Sequence, residues 1–173
     1  MTLPTVLVTG VPGSGKTTLA RSLSRATRLP LLSLDSVKEA MFETHVSRDQ
    51  LREAAFGVVC RLLADSPGGA VVDIWVDPSR DRDPVRTGIA VAGASPVLEV
   101  LCDVTADVAV RRYGRRRRHS AHLPADQETL TRIRYATAVI SPLGLGPAHR
   151  VDTSTEVDVP ELVRWIDQQM LPT

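Results

Sequence analysis

Several features are scarce in this 173-residue sequence, and each scarcity excludes a class of protein. Aromatic residues make up only 3%, so a buried core must be built from Leu, Val, Ile and Ala. The two cysteines, Cys60 and Cys102, are too few for a disulfide framework, and we expect both to be buried free thiols. No apolar run approaches the roughly 18 residues that a membrane-spanning helix needs. Met1 to Thr9 contains no basic start followed by an apolar signal stretch, so we expect a cytoplasmic protein.

A charge excess of either sign is also lacking. The formal net charge is +1, so no overall field draws the protein toward nucleic acid or a membrane. Lys16 and Lys38 are the only lysines, and arginine supplies every other basic side chain. The composition, with 43% hydrophobic and 24% charged residues, is typical of a soluble globular protein, and the length fits one domain over residues 1–173.

Strand-like and helix-like segments alternate along the whole chain. Aliphatic and β-branched runs predict strands at 6–9, 31–34, 70–76, 97–104 and around Val151. Helices are predicted at 17–26, 36–43, 47–65, 83–93, 105–114, 126–140 and after Asp158. Ser47 and Gln50 have the spacing of a capping box at the start of the third helix. The alternation predicts a three-layer α/β domain, with a parallel sheet between two layers of helices.

The most specific motif is Gly10-Val11-Pro12-Gly13-Ser14-Gly15-Lys16-Thr17, which fits the P-loop pattern G-x-x-x-x-G-K-[ST] completely. It follows a predicted strand and opens a predicted helix, where backbone N–H groups and the helix N-terminus attract phosphate. The three glycines allow the tight bend. We expect residues from Gly13 to Thr18 to bind nucleotide phosphates, with the Lys16 ammonium at the β and γ phosphates and the Thr17 hydroxyl on Mg²⁺.

Asp35 follows the second predicted strand. Ligands of an open parallel sheet bind at the carboxyl ends of its strands, so Asp35 should face the same cleft as the P-loop. A carboxylate there can accept the proton of an attacking hydroxyl group. The alternative role is the N-cap of the helix that follows, and the two roles are compatible.

The segment Leu34-Asp35-Ser36-Val37-Lys38-Glu39-Ala40-Met41, placed after a P-loop, resembles the small bacterial P-loop kinases that include chloramphenicol phosphotransferase, within the nucleoside/nucleotide kinase superfamily. Gluconate kinase, shikimate kinase and the polynucleotide 5′-kinases are more distant relatives. The resemblance covers nearly the whole chain by order of elements. It implies a nucleoside-monophosphate-kinase-like fold with sheet order 2-3-1-4-5, ATP as phosphoryl donor, and Asp35 as the base that activates an acceptor hydroxyl.

Asp73 interrupts the otherwise apolar third strand, and a buried carboxylate needs a partner or a metal ion. Asp73 either serves Mg²⁺ through water or contacts the acceptor, or it is a structural group bonded to backbone or to a buried arginine. The acceptor site is expected on the short helix after Asp35 and on the loop after the third strand. Its candidate residues are Lys38, Trp75, Asp77, Arg80 and Arg82.

The densest charge lies between Val110 and His119, where Arg111-Arg112-Tyr113-Gly114-Arg115-Arg116-Arg117-Arg118 occurs. The run is either a patch that binds nucleic acid phosphates or a lid over ATP, spanning about residues 114–126. Its position after the fourth strand and helix favours the lid. It resembles the R-Y-x-x-R segment of the kinases named above, which implies that Arg112 lies against the nucleotide and Arg116 reaches the phosphates. The register stays open by one or two positions. His119 and His122 are expected in a mobile loop without a metal site.

Asp152 and Thr153 follow the last predicted strand. The resemblance implies that they contact the adenine ring, while ordinary turn and cap chemistry is the alternative. No guanine-reading N-K-x-D motif occurs, so the preference for ATP rests on the relatives.

The sequence therefore predicts an ATP-dependent kinase that acts on a hydroxyl group of a small-molecule acceptor. One alternative is a polynucleotide or RNA 5′-hydroxyl kinase, which the near-zero net charge disfavours. The other is a nucleotide-dependent regulatory ATPase without an acceptor, which Asp35 disfavours. Neither the identity of the acceptor nor the oligomeric state can be read from the sequence.

Overall fold

The computed structural model describes residues 4–44, 47–117 and 119–171. Its centre is a five-stranded parallel sheet, formed by β1 (Thr5–Thr9), β2 (Leu31–Ser33), β3 (Ala70–Asp73), β4 (Val97–Asp103) and β5 (Ala148–Asp152). The strands lie in the order β2-β3-β1-β4-β5, which confirms the order implied by the resemblance. The strand that leads into the P-loop is therefore the central one.

Helices cover both faces of this sheet, which confirms the predicted three-layer architecture. They are α1 (Lys16–Thr27), α2 (Leu34–Glu43), α3 (Arg48–Ala64), α4 (Arg82–Val91), α5 (Ala106–Arg115), α6 (Gln127–Val139) and α7 (Val159–Gln169). The helices α1 and α7 contribute to the core on one face, and α3 and α4 contribute to the core on the other. No helix in the described ranges has the length and apolar character needed to span a bilayer.

The central strand is buried on both faces because its successive side chains enter different cores. Val6 and Val8 pack in the core that contains α1 and α7, whereas Leu7 packs in the core that contains α3 and α4. All three side chains are fully buried. This double burial explains why the strand reads as a continuous apolar run rather than as an alternating one.

The second strand ends one residue earlier than predicted, at Ser33, and the second helix begins two residues earlier, at Leu34. Ser33 ends β2, and its hydroxyl oxygen accepts a hydrogen bond from the Ser36 N–H at 3.5 Å, so the helix begins at Leu34. The N-cap is thus Ser33, and the alternative role of Asp35 as N-cap is wrong. Asp35 lies inside the first helical turn, where the positive end of the helix dipole favours a carboxylate.

Two other local expectations also differ from the structure. The strand β3 ends at Asp73 rather than at Val76, together with its partner Ser33 on β2. The predicted capping box of α3 does not form, because the Ser47 hydroxyl donates a hydrogen bond to the Gln50 side-chain oxygen at 3.0 Å instead of capping the backbone.

The two cysteines are free thiols, as expected, but only Cys102 is fully buried, whereas Cys60 is partly exposed. Burial raises the pKa of the Cys102 thiol to about 12, although the nearby Lys16 ammonium acts in the opposite direction. Burial also raises the pKa of Cys60. Both thiols therefore stay protonated at neutral pH and are weak nucleophiles.

A buried carboxylate on β4 ties a loop to the sheet. Glu99 is 0% exposed, and its two carboxylate oxygens accept hydrogen bonds from the backbone N–H groups of Leu143 and Leu145. These bonds satisfy a charge that would be costly to bury alone. Glu99 thereby holds the segment between α6 and β5 against the centre of the fold.

We predict that Glu99→Ala lowers the free energy of unfolding by about 3 kcal/mol, because two buried N–H groups lose a charged acceptor. Glu99→Gln keeps one acceptor oxygen but places an NH₂ group against the second N–H, so we expect an intermediate cost of about 2 kcal/mol. Urea unfolding followed by circular dichroism measures both, with the exposed Glu53→Ala on α3 as control. Equal stability of the Glu99→Ala and Glu53→Ala proteins would contradict this role.

Candidate functional site

The P-loop backbone bends so closely against its neighbours that only glycine fits. Gly13 has a φ of 89°, and a Cβ atom there would collide with the carbonyl oxygen of Ala109 on α5. Gly15 also has a φ of 89°, and its α-carbon faces the Arg112 guanidinium and the Thr153 side chain. The P-loop is therefore in direct contact with α5 and with the loop that follows β5.

Polar groups of the P-loop converge at the N-terminus of α1. Lys16 is the first residue of that helix, and it is only 7% exposed. The Ser14 hydroxyl is buried and has no hydrogen-bond partner within the described residues. Thr17 is half-buried next to Lys16, whereas Thr18 is exposed. Buried N–H and hydroxyl groups at a helix N-terminus form an environment that favours an anion such as phosphate.

Asp73 lies at the end of β3, level with Val8 of the strand that enters the P-loop. It is 2% exposed, and one carboxylate oxygen accepts a hydrogen bond from the Ser33 hydroxyl at 3.2 Å. Among the described residues its other oxygen, Oδ1, has no hydrogen-bond partner. The structural alternative, a bond to backbone or to an arginine, is thus not what holds Asp73. An oxygen of this kind fits a role toward a hydrated cation.

A cavity of about 250 Å³ joins the P-loop to the helix α2. Gly13 and Lys16 line one side, and Asp35 and Lys38, which are one helical turn apart, line another. The apolar part of the wall is formed by Leu51, Trp75, Tyr113 and Ile133. The cationic part is formed by Lys38, Arg52, Arg80, Arg116 and Arg132.

The residues expected at the acceptor site divide into two groups. Lys38, Trp75 and Arg80 line the cavity, whereas Asp77 and Arg82 do not. Asp77 is buried behind the wall, and Arg82 donates hydrogen bonds to the backbone carbonyls of residues 141 and 142. Asp77 and Arg82 therefore make contacts within the fold and do not lie at the cavity, where they were expected.

Two buried carboxylates hold three of the cavity arginines in place. The Asp77 carboxylate accepts a hydrogen bond from Arg132 at 2.7 Å. Asp81 contacts Arg80 at 2.8 Å and Arg52 at 2.6 Å. Burial alone would raise the pKa values of both carboxyl groups, but their hydrogen bonds and ion pairs outweigh it and lower them. Both carboxylates are therefore ionised at neutral pH and balance most of the charge of the arginines.

The nucleotide side of the site is closed by Arg112 and the loop after β5. The Arg112 guanidinium donates hydrogen bonds to the carbonyl oxygens of Thr153, at 2.9 Å, and Ser154, at 3.1 Å. The Thr153 hydroxyl donates to the carbonyl oxygen of Ser14. The Asp152 side chain is exposed and accepts a hydrogen bond from the Ser154 N–H at 2.8 Å, as in an ordinary turn.

The segment after α5 packs against α2. Arg116 is the C-cap residue directly after α5 and lines the cavity, while Arg118 lies outside the described residues. The His122 ring contacts Glu39 at 2.7 Å and Asp35 at 3.9 Å. His119 lies 3.6 Å from Glu43 and packs edge-on to the Phe42 ring. The two histidines, expected in a mobile loop, thus attach this segment to the helix that carries Asp35.

For three of the cavity residues, nothing in the sequence indicated that they would line a cavity. Arg52 lies within α3, Arg132 within α6, and His122 on the segment between α5 and α6. Their carboxylate partners lie 29, 55 and 83 positions away in the sequence, so only the fold brings each pair together. A cluster of at least three His, Cys, Asp or Glu side chains suited to a metal ion is not present within the described residues.

Comparisons with known proteins agree with this geometry. The AAA domain family matches residues 6–139 of the chain. A structure from Chloroflexus aurantiacus, provisionally assigned as a kinase, is 25% identical with a TM-score of 0.81, covering 97% of this chain and 99% of that one. No curated protein matches the chain by sequence.

Two further solved structures share the fold at lower identity. Shikimate kinase from Acinetobacter baumannii, in complex with shikimate, is 16% identical with a TM-score of 0.71 and covers 98% of this chain and 96% of that one. A gluconokinase from Sinorhizobium meliloti is 22% identical with a TM-score of 0.62, at coverages of 94% and 89%.

We predict that His122→Ala increases hydrogen–deuterium exchange in residues 119–125 and leaves exchange in β1 and β4 unchanged, because the segment loses its bond to Glu39. His122→Gln, which keeps a hydrogen-bonding side chain, should show a smaller increase. His149→Ala on β5 is the control, since His149 packs on Trp165 far from this segment. Unaltered exchange in the His122→Ala protein would show that the contact does not hold the segment.

We predict that Asp81→Asn reduces stability at about pH 7 and that the difference from the wild type shrinks toward about pH 3. The pKa of Asp81 in the folded protein lies below its ordinary value of 3.8, so its stabilisation is complete above that value and is lost as the pH falls through the folded-state pKa. Urea midpoints across this range measure the effect. Asp65→Asn, at the exposed pair with Arg61, is the control. A difference that stays constant with pH would contradict the assignment.

Proposed function

The chain belongs to the AAA domain family, and on this basis we propose that it is an ATP-dependent kinase that transfers the γ-phosphoryl group of MgATP to a hydroxyl group of a small-molecule acceptor. One observation carries the proposal: the Asp35 carboxylate lines the same cavity as Gly13 and Lys16 of the P-loop. Shikimate kinase and gluconokinase, which are similar in fold, are both named for small acceptors.

ATP would bind with its phosphates on the P-loop. The positive φ angles of Gly13 and Gly15 and the buried Ser14 hydroxyl support this assignment, because they allow the backbone to approach an anion closely. Lys16 would bind the β and γ phosphates. Arg112 and the loop at Asp152 and Thr153 would contact the nucleoside, since both lie against the P-loop.

Mg²⁺ would be held by the Thr17 hydroxyl and, through water, by Asp73. The buried Asp73 Oδ1, which has no partner among the described residues, supports this placement. The ion neutralises charge on the phosphate oxygens when it is bound.

Asp35 acts as the general base in this proposal. Its carboxylate takes the proton of the acceptor hydroxyl as the oxygen attacks the γ-phosphorus, and the bond from that phosphorus to the bridging oxygen of ADP breaks. Lys16 and Arg116 stabilise the charge that develops on the phosphoryl oxygens. The segment around His122 covers this side of the cavity and limits access of water to the reacting groups.

The size of the cavity favours a small acceptor over an oligonucleotide. A volume of about 250 Å³ with the apolar groups of Leu51, Trp75 and Ile133 fits a compact molecule. The position of two arginines supports a lid in this arrangement, because Arg112 on α5 lies beside Gly15 of the P-loop and Arg116, directly after α5, lines the cavity.

We predict that Asp35→Asn lowers phosphoryl transfer from MgATP by about 10² to 10⁴-fold without weakening nucleotide binding. The assay uses pooled hydroxylated antibiotics, sugars, nucleosides, hydroxy acids and 5′-hydroxyl oligonucleotides, with products read by mass spectrometry. Asp167→Asn, an exposed carboxylate on α7, is the control. Transfer only to oligonucleotides would instead support a polynucleotide kinase. Nucleotide binding without transfer to any pool would support a regulatory ATPase.

A further inference from the structure

The cavity beside the P-loop has an uneven balance of charge. The Arg132 guanidinium is paired with Asp77, and Arg52 and Arg80 are paired with Asp81. Two carboxylates behind the wall therefore offset two of these three positive charges. Lys16 and Arg116 face the position proposed for the phosphates of ATP. Of the lysines and arginines that the structure describes at the cavity, Lys38 is the one left.

Lys38 differs from the three paired arginines because none of the described carboxylates forms an ion pair with it. It is half-buried, and its ammonium has no hydrogen bond or ion pair within 4.0 Å to any of the residues that the structure describes. Burial is the largest influence and lowers the pKa of Lys38; the Asp35 carboxylate opposes it, the positive charges of Arg52 and Lys16 lower the pKa further, and Glu39 raises it. A buried ammonium near other cations is destabilised until an anion approaches it.

We propose that the phosphoryl acceptor carries an anionic group, a carboxylate or a phosphate, that binds the Lys38 ammonium. The proposal rests on the proposed kinase function, since it names the chemical class of that acceptor. A lysine suits this position beside the three paired arginines, because a single flexible ammonium binds an anion as a point charge.

The position of Lys38 also constrains where the anionic group lies on the acceptor. Asp35 and Lys38 are three residues apart on α2, and side chains at this spacing lie on one face of a helix, with Cβ atoms about 5–6 Å apart. The hydroxyl that Asp35 activates and the anion at Lys38 are therefore separated by a few bonds. Leu51 and Trp75 provide the apolar contact for the carbon skeleton between them.

The alternative is that Lys38 only orients the Asp35 carboxylate and does not bind the acceptor. The two roles differ in what they affect. A residue that only orients the base alters the rate of transfer and leaves acceptor binding unchanged, whereas an anion-binding residue alters acceptor binding even where no transfer takes place.

The composition of the chain allows a direct test. Lys16 and Lys38 are the only lysines, so acetylation of lysine followed by peptide mass spectrometry reads each ammonium separately. The protein is saturated with MgADP to occupy the P-loop, and the rate of acetylation at Lys38 is measured with four probes: acetate with inorganic phosphate, small hydroxy acids, sugar monophosphates, and neutral sugars of matched size. Protection by hydroxy acids or by sugar monophosphates distinguishes a carboxylate from a phosphate group.

We expect at least one anionic probe to slow acetylation of Lys38 in a saturable manner, with no protection by the neutral sugars. Lys38→Met should then weaken binding of that probe by about 10 to 100-fold, measured by calorimetry, because an ion pair to a partly buried charge is lost. Lys38→Arg should retain most of the affinity. Arg86→Met, an exposed cation on α4, is the matched control and should bind as the wild type.

Two results would overturn the proposal. One is an unchanged rate of acetylation at Lys38 with every anionic probe, and the other is equal binding of the probe by the wild type and Lys38→Met. The measurement does not need phosphoryl transfer, so it separates the two proposals. An anion that binds at Lys38 of the Asp35→Asn protein but is not phosphorylated by the wild type would retain the anion site and count against the kinase function.

Discussion

The close approach of Gly13 to the Ala109 carbonyl is the contact on which the site depends. Because only a hydrogen atom fits between them, the P-loop and α5 lie in direct contact. The same helix carries Arg112 one turn further on and Arg116 at its end. The contact at Gly13 therefore fixes where α5 lies, and with it the positions of two arginines beside the P-loop. It also fixes where the segment that contacts α2 begins.

The charges around the cavity show why a count of arginines is a poor guide to function. Three of the cavity arginines are held by Asp77 and Asp81, two buried carboxylates in the loop before α4 that do not line the cavity. This arrangement lets the wall be rich in hydrogen-bond donors while two of its positive charges are offset by buried carboxylates. An unpaired group such as Lys38 then has more influence on what binds than its number would indicate.

The sequence predicted the fold because the alternation of strands and helices is a local pattern, and it predicted the P-loop because the motif is contiguous. The predicted strand extended to Leu34, one residue too far, because the sequence alone does not show that the Ser33 hydroxyl caps α2. Asp35 could be proposed from the sequence because it follows a predicted strand of a parallel sheet, where ligands bind. Arg52, Arg132 and His122 could not, because a charged residue on a helix or loop looks the same whether it faces solvent or a cavity.

The phosphate loop of this protein is built mainly from main-chain atoms, whereas the opposite wall of the cavity is built from side chains. Only glycine fits the backbone conformation and the space at Gly13, so few substitutions are compatible with the P-loop side of the cavity. Side chains on α2, α3 and α6 can be exchanged singly while the helices keep their places. In a protein with the proposed kinase function, such a division would let the acceptor change while the phosphate-binding loop stays the same.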